Sequence, residues 1–376
     1  MSKACLSPSL GIMVLSSHEN YFVNLLKILP DNIPDIYIFT TDEYKESVFP
    51  DIPKPSKYNW ITQSRSESFS GFLSRASDIL NNQVDLLISF PIYSTRKVFE
   101  FLKLDSNCTH LQMIFNVNLW VGKSFRVTPR IGSYLESFLR RQLITRFDGV
   151  IVEYSPIEDY LKGIITDIEV VSFVPVFFDN QSASDSNFRV TIPGHIEPVR
   201  RNYEFLIDTI EGHLQEYQNE LEIHLLGSAS NPEGESITDE FDRLARSGWD
   251  IKYYTDWIPI DQFENVLKTT DLIVSPIKKH KEMGAVTERY GQSKGSGVFS
   301  DAIRYGKPLA LPDHYEVPPE TNSIVRSYSD KEDLANIIGT ALQSEGLAEP
   351  ELEQLRQRFS LENQKVNFQS IISKFY

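Results

Sequence analysis

Short runs of apolar residues alternate with longer amphipathic segments through the first half of the chain. The longer segments carry apolar residues at the spacing of one helix face. Strands with little polar alternation, separated by helices, are typical of a parallel sheet that helices cover on both faces. The pattern therefore predicts a doubly wound α/β unit. Its apolar runs are LGIMVLS (10–16), DIYIFT (35–40), VDLLIS (84–89), THLQMIF (109–115) and GVIVEY (149–154).

The same alternation starts again after DNQSASDSN (179–187), a stretch of small polar residues that is typical of a linker. We therefore predict two Rossmann-like domains, residues 1–180 and 188–350, followed by a helical segment at 351–376. Two such sheets leave a cleft at the carboxyl ends of their strands, where ligands usually bind. The apolar runs of the second half are FRVTIP (188–193), LEIHLLG (221–227), WDIKYYT (249–255), DLIVSPI (271–277) and KPLALP (307–312).

Composition narrows the class of protein without changing the predicted fold. Of the 376 residues, 41% are hydrophobic and 24% are charged, as in soluble globular chains. The formal net charge of −15 argues against nucleic acid as a partner. The two cysteines are too few for a disulfide framework or a zinc site, and no apolar run approaches the roughly 20 residues that span a bilayer. We expect a cytoplasmic protein.

Two adjacent arginines stand between a strand and a helix at the start of the second half. The strand enters a turn at Pro193 and Gly194, and Arg200 and Arg201 come just before an amphipathic helix. A helix start offers free N–H groups and the positive end of a dipole. Arginines add charge and bidentate donors for phosphate oxygens. The pattern predicts a diphosphate anchor, and the alternative is a set of surface ion pairs with nearby glutamates.

A glycine-rich turn precedes another short helix in KGSGVFSDAIRYGKPLALP (294–312). Such a turn brings backbone amides close to an anion, and Lys294 adds a point charge. The turn itself is Gly295, Ser296 and Gly297. Asp301 lies in the first turn or two of the helix. It is either a carboxylate that accepts hydrogen bonds from sugar hydroxyls or a favourable charge at a helix start.

Four segments together resemble glycosyltransferases of the two-Rossmann, or GT-B, architecture, closest to the large retaining group. GVIVEYSPIEDYLKG (149–163) and EVVSFVPVFFD (169–179) are similar to the end of the first domain in that group. GHIEPVRRN (194–202) is similar to the stretch that grips the nucleotide diphosphate, with His195 and Arg201 in place of an arginine and a lysine. SDAIRYGKPLALP (300–312) is similar to a motif in which Asp301 replaces the usual glutamate.

The resemblance implies an enzyme of the hexosyltransferase type, with an acceptor-binding first domain and a final helix that packs back toward it. Such an enzyme moves a sugar from a nucleotide-diphosphate donor to a glycan or lipid-linked acceptor, with retention. The donor is a substrate, so no cofactor is expected. No Asp-x-Asp motif occurs, which favours a metal-independent mechanism. The implied donor site comprises Gly194, His195, Arg200, Arg201, Glu288, Lys294, Gly295, Ser296 and Gly297.

Two positions depart from the pattern of the group. A glutamate is usual where Ser293 stands, and Glu288 is the candidate replacement. Many members have a histidine where Asn116 follows its strand, so Asn116 is a candidate catalytic residue together with Asp301. An inverting mechanism would instead need a base on the first domain, for which His18 is the best candidate. A non-catalytic binding or scaffold protein and a nucleotide-sugar epimerase are the alternatives.

Residues 120–146 form a basic stretch in this acidic chain, with six basic side chains against the single acid Glu136. An amphipathic basic helix is suited to an anionic membrane surface. The alternatives are a core-facing apolar stripe with a solvated basic edge, and a loop at 122–130 that closes over the acceptor. The basic residues are Lys123, Arg126, Arg130, Arg140, Arg141 and Arg146.

Overall fold

The first half of the chain folds around a parallel sheet. The computed structural model describes residues 8–127, 131–179, 187–344 and 347–376, so most of the predicted linker lies outside the described residues. The elements before the linker are β1 (Leu10–Met13), α1 (Glu19–Ile28), β2 (Ile36–Thr41), α2 (Asp42–Val48), β3 (Asn59–Gln63), α3 (Phe69–Gln83), β4 (Leu86–Ser89), α4 (Thr95–Phe101), β5 (Thr109–Met113), α5 (Val117–Val121), α6 (Ile131–Ile144), β6 (Gly149–Val152), α7 (Ser155–Lys162) and β7 (Glu169–Ser172).

The second half repeats this architecture with a hairpin added. Its elements are β8 (Phe188–Pro193), α8 (Tyr203–His213), β9 (Leu221–Ser228), α9 (Pro232–Arg246), β10 (Asp250–Tyr254), α10 (Ile260–Lys268), β11 (Leu272–Val274), β12 (His280–Met283), β13 (Val286–Arg289), α11 (Val298–Tyr305), β14 (Leu309–Pro312), β15 (Val325–Tyr328), α12 (Lys331–Leu342), α13 (Glu349–Arg358) and α14 (Leu361–Ile372).

Both large sheets are parallel and doubly wound, which confirms the predicted fold class. Among the described strands, the first sheet has the order β3-β2-β1-β4-β5-β6-β7 and the second has the order β10-β9-β8-β11-β14-β15. In each sheet the chain works outward to one edge, returns to the centre and continues toward the other edge. The strand order therefore reverses between β1 and β4 and between β8 and β11, which places a crevice at their carboxyl ends.

The hairpin β12–β13 joins the second domain to the first, and the sequence pattern did not predict it. The Thr287 amide donates to the Ser124 carbonyl at 2.9 Å, and the Arg126 amide donates to the Ala285 carbonyl at 2.9 Å. Phe125 thus forms an isolated antiparallel bridge with Val286 of β13. The side chains of Arg126 and Glu282 also form an ion pair. Backbone pairing of this kind fixes the position of the hairpin against the first domain.

The last helix packs on the first domain, as expected. Phe368 and Ile372 of α14 are buried against the first sheet, and the rings of Phe368 and Phe173 lie 5.4 Å apart. Gly149 has no room for a side chain, because a Cβ there would lie 2.6 Å from Cζ of Phe375. The end of the chain therefore completes the core of the first domain.

Helix α6 differs from the basic membrane-facing helix that the sequence suggested. Arg140 is buried with 1% of its side chain exposed, and it pairs with Glu136 at 2.8 Å and lies over the Trp120 ring at 5.1 Å. It is thus a core residue, whereas Leu135 and Phe138 are more than half exposed. In the described part of the chain, no helix has the length and apolar character needed to cross a bilayer. Arg130 lies outside the described residues.

Candidate active site

The turn after β8 is shaped by two glycines and an arginine. Gly194 has a φ of 96°, a conformation that favours glycine. Gly227 lies so close that a Cβ there would be 2.7 Å from the amide nitrogen of His195. The Arg201 guanidinium folds back onto the turn and donates to the carbonyls of His195 at 2.8 Å and Pro193 at 2.5 Å. Arg201 therefore fixes the shape of the turn as well as supplying charge.

Arg200 and a lysine that the sequence did not single out add positive charge beside this turn. Arg200 forms an ion pair with Glu197, with 2.6 Å between Nε and Oε2, so the surface pair that was the alternative interpretation is present. Burial and the charges of Arg200 and Lys294 lower the pKa of Lys281, on β12, to about 8. A pKa lowered by neighbouring cations indicates a region of positive potential.

The glycine turn before α11 contacts the first domain through a carboxylate. Glu153 directly follows β6, and a Cβ on Gly295 would lie 2.5 Å from its carboxylate carbon and closer still to Oε2. The Gly295 amide donates a hydrogen bond to this carboxylate. Burial raises the pKa of Glu153 to about 7, although Lys294 and the amide oppose the shift. The rest of the turn, Ser296 and Gly297, leads into the helix, with Gly297 at its N-cap.

Lys294 crosses the cleft to Asn116. Its Nζ donates to Oδ1 of Asn116 at 2.8 Å, and the backbone amide of Val117 donates to the Ser293 carbonyl at 2.9 Å. Burial lowers the pKa of Lys294, and the nearby charges of Glu153 and Glu288 oppose that shift. Asn116, which follows β5, and Lys294, from the second domain, are thus in contact.

Glu288 is placed differently from the donor-binding role that the sequence suggested. Its side chain is fully buried, and its two carboxylate oxygens accept hydrogen bonds from the amides of Asn118 at 3.1 Å and Leu119 at 2.9 Å. Both amides lie in the first turn of α5, where a carboxylate is favoured by the helix dipole. Both carboxylate oxygens of Glu288 are thus engaged in binding the second domain to the first, so we leave Glu288 out of the proposed donor site.

Asp301 lies on α11, in the first turn of that helix, and is partly buried. Burial raises its pKa to about 7, and the charges of Arg304 and Arg201 oppose the shift. Arg201 is therefore close enough to act on Asp301, which places the arginine turn and the start of α11 on the same side of the cleft.

His18 occupies the turn between β1 and α1 in an unusual conformation. Its φ is 64°, in the left-handed region, and its ring stacks on Phe115 with 4.2 Å between centroids. Nε2 forms a hydrogen bond with the Tyr93 hydroxyl. Burial and the charge of Lys294 lower the pKa of His18 to about 4. The imidazole is thus neutral at pH 7 and a weak base.

A pocket of about 190 Å³ lies beside the Gly194 turn. The exposed Trp257 forms one wall, and its ring centroid lies 5.7 Å from that of His195. Ile258 and Phe263 line it from the second domain, and Asn20 lines it from the first. An aromatic face next to apolar side chains is suited to a flat, weakly polar group.

The structure places several of the residues that the sequence suggested beside one another. Asn116 contacts Lys294, the charge of Lys294 acts on His18, and the glycine turn contacts Glu153, which sequence reasoning passed over as the end of a strand. The signal available was a carboxylate directly after the fully buried strand GVIV in a predicted parallel sheet. Among the described residues, no group of three or more histidine, cysteine, aspartate and glutamate side chains is placed to hold a metal ion.

Comparison with known proteins identifies the fold. No family model matches the chain, and no curated protein matches it. HepE from Anabaena, solved in complex with UDP, has a TM-score of 0.67 and 12% identity, and the alignment covers 97% of this chain and 100% of that one. Sucrose-phosphate synthase from Thermosynechococcus elongatus has a TM-score of 0.63 and 14% identity, with coverage of 97% and 98%.

A third similar structure is the UDP-forming α,α-trehalose-phosphate synthase from Burkholderia xenovorans in complex with glucose-6-phosphate. Its TM-score is 0.64 at 9% identity, with 97% of this chain and 100% of that chain covered. Similarity over nearly the full length of each protein includes both sheets. The chain therefore has the GT-B fold, with two Rossmann-like domains.

Proposed function

We propose that this protein is a glycosyltransferase of the hexosyltransferase type, which moves a sugar from a nucleotide-diphosphate donor to a glycan or lipid-linked acceptor. The observation that carries the proposal is the convergence of Arg200, Arg201 and Lys294 with the glycine turn at the interdomain cleft. The similar structures add support, because one of them holds UDP and another is described as UDP-forming.

The donor would lie across the second domain with its base at Trp257 and its sugar nearest the first domain. Its base fits the pocket at Trp257, and its diphosphate fits between the Gly194 turn and the amides that begin α11. The sugar would then extend toward Asp301 and the first domain, where Asn116 and His18 lie in the turns that follow β5 and β1. In this arrangement Asp301 accepts hydrogen bonds from sugar hydroxyls.

Bond cleavage between the sugar and the diphosphate builds negative charge on the leaving group and oxocarbenium character on the sugar. Lys294 and the two arginines are preorganised to stabilise that charge without a metal ion. A general base is most effective when its pKa lies near the working pH, and the pKa of His18 is about 4. His18 is thus a poor base at neutral pH, and we favour retention, as the resemblance to the retaining group implies, with a diphosphate oxygen taking the proton of the acceptor hydroxyl.

The proposal is tested by measuring hydrolysis and transfer with UDP-, GDP- and CMP-sugars, and donor binding by calorimetry. Lys294→Ala should lower turnover by roughly 100-fold, as expected when one preorganised donor to a developing charge is removed. Lys331→Ala is the matched control, because this lysine pairs with Asp208 on an exposed surface. Binding of a nucleotide sugar without any turnover would instead support a scaffold protein.

The two arginines should differ in what they contribute. Arg200→Ala should weaken nucleotide-diphosphate binding more than nucleoside binding, because its side chain supplies charge and pairs with Glu197, not with the carbonyls of Pro193 and His195. Arg201→Ala should weaken both, because Arg201 also holds the carbonyls of Pro193 and His195 beside the base pocket. Equal losses of nucleoside binding in both variants would contradict this assignment.

Peripheral membrane contact through residues 120–146 stays a prediction, now without Arg140. Exposed side chains in the described part of this stretch include Lys123, Phe125, Val127, Leu135, Phe138, Arg141 and Arg146. Replacing Leu135 and Phe138 by serine should reduce co-sedimentation with vesicles that contain anionic lipid. Absence of vesicle binding by the unaltered protein would end this part of the proposal.

A further inference from the structure

Glu153 occupies a place where an anion is expected. It follows β6 at the carboxyl end of the first sheet and reaches into the cleft as far as the glycine turn of the second domain. At Gly295 there is no space for a methyl group between the turn and the carboxylate. The carboxylate accepts the Gly295 amide hydrogen bond and lies within the field of Lys294.

These two partners are the same groups that a diphosphate oxygen would use. A backbone amide at a glycine turn and a neighbouring lysine are typical ligands of phosphate. A carboxylate and a phosphate oxygen therefore compete for them, and two anions side by side in a partly buried site repel each other. The repulsion is removed when the carboxylate is protonated, because a carboxylic acid donates a hydrogen bond to a phosphate oxygen.

We propose that Glu153 is a further donor-site residue, which occupies the diphosphate subsite in the ligand-free protein and shares it with the bound donor as a carboxylic acid. The inference rests on the proposed function, since it concerns the same diphosphate. It adds a hydrogen-bond donor from the first domain to a subsite otherwise built from the second.

Donor binding should then be accompanied by proton uptake. The pKa of Glu153 is about 7 in the ligand-free protein, and the negative diphosphate raises it further in the complex. The bound state therefore holds more protons than the free state from about pH 7 upward, so affinity falls as the pH rises through that value. For one proton the dissociation constant increases up to tenfold per pH unit above 7.

Other titrating groups must be separated from Glu153. The pKa of Asp301 is about 7 and that of Lys281 about 8, so both change charge in the same window. The tyrosines whose pKa values Glu153 raises stay neutral throughout that window, and the pKa of His18, about 4, lies below it. Those tyrosines are Tyr21, Tyr93, Tyr154, Tyr290 and Tyr315.

The experiment is calorimetric titration of the full chain with UDP-glucose and with GDP-mannose between pH 6 and pH 8.5, in pairs of buffers that differ in ionisation enthalpy. A diphosphate esterified at both ends lacks the phosphate group with a pKa near 6, so the ligands themselves do not titrate. The unaltered protein should bind roughly 10- to 30-fold more weakly at pH 8.5 than at pH 6, with up to one proton taken up.

Glu153→Gln should bind at pH 8.5 more tightly than the unaltered protein does at that pH, and should lose the share of proton uptake that Glu153 contributes, while Asp301 and Lys281 keep theirs. Glu158→Gln, an equal change on α7 at a residue paired with Lys162, should keep the full pH dependence. Unchanged pH dependence in Glu153→Gln would overturn the inference. If that variant does not fold, the absence of proton uptake by the unaltered protein would overturn it equally.

The two levels of the proposal fail in different ways. Binding of UDP-glucose or GDP-mannose with one affinity at every pH would refute the role of Glu153 and leave the proposed function standing. Absence of binding of both ligands at every pH would count against the proposed function and would remove the inference with it.

Discussion

Gly295→Ala should disturb the contact between the two domains, because a methyl group has no room beside Glu153. An ideal Cβ on Gly295 lies 2.5 Å from the carboxylate carbon of Glu153, and real Cβ contacts are essentially never shorter than 3.0 Å. The turn or the carboxylate must therefore move by several tenths of an ångström or more. Gly295 is not among the residues with positive φ, so alanine itself causes no backbone strain there.

The expected magnitude follows from two opposing effects. Overpacking in a well-packed site costs about 1–3 kcal/mol of folding free energy. Replacing glycine by alanine in a compatible conformation returns about 0.4–1 kcal/mol, because the unfolded chain loses freedom. The atoms in the way are the end of a glutamate side chain, which can turn aside, so the overpacking cost lies toward the lower end of that range. The net loss is thus about 0–1 kcal/mol, a decrease of at most a few degrees in apparent melting temperature for a chain of this size.

The chain offers a matched control in the same turn. A Cβ on Gly297 would meet no atom within 4 Å, and its φ is −60°, so Gly297→Ala should leave the melting temperature unchanged or raise it slightly. In a Glu153→Ala background the added methyl of Gly295→Ala should also become tolerable. Differential scanning calorimetry of the single and double variants measures this coupling. Equal effects of Gly295→Ala with and without Glu153 would refute the contact.

Two further predictions concern buried carboxylates. Glu288→Gln should weaken the contact between the hairpin and α5 by about 1–3 kcal/mol, because an amide side chain cannot accept both hydrogen bonds. The loss should appear as faster hydrogen exchange of the Asn118 and Leu119 amides. Burial raises the pKa of Glu222, but hydrogen bonds from Arg189 and Lys252 outweigh this effect and hold the pKa down to about 2. The stability that Glu222 contributes is therefore complete above about pH 4.5 and disappears as the pH falls toward 2. Glu222→Gln should lower the free energy of unfolding at pH 7 by about 3 kcal/mol, as measured by urea denaturation.

The parallel sheets could be predicted because strands buried on both faces are continuous apolar runs. The four residues of β6 are all buried, and so are those of β1, β4 and β14. The hairpin β12–β13 could not be predicted in the same way. Its strands have only four residues each. β12 alternates exposed and half-buried positions and β13 alternates buried and half-buried ones, so neither forms a continuous apolar run.

The candidate site was predicted where a residue's role depends on its own strand or turn, and was missed where it depends on the other domain. Arg201 and Gly194 are neighbours in sequence, and their turn was anticipated. Glu153 and Gly295 belong to different domains, so their contact depends on how the sheets face each other. The sequence suggested Glu288 as a donor-binding residue because it does not reveal that two amides of α5 donate hydrogen bonds to this carboxylate.

The charges of the cleft differ from those of a structural ion pair in the same protein. At Glu222, Arg189 and Lys252 act on one carboxylate and bring its pKa to about 2. In the cleft, Glu153 and Asp301 also lie near cations, yet burial raises the pKa of each to about 7. Burial accounts for the difference, because in the cleft it outweighs the nearby cations and at Glu222 it does not. The cleft arginines have partners of their own, since Arg200 pairs with Glu197 and Arg201 donates to two carbonyls, so the diphosphate that we propose as ligand would compete with those partners.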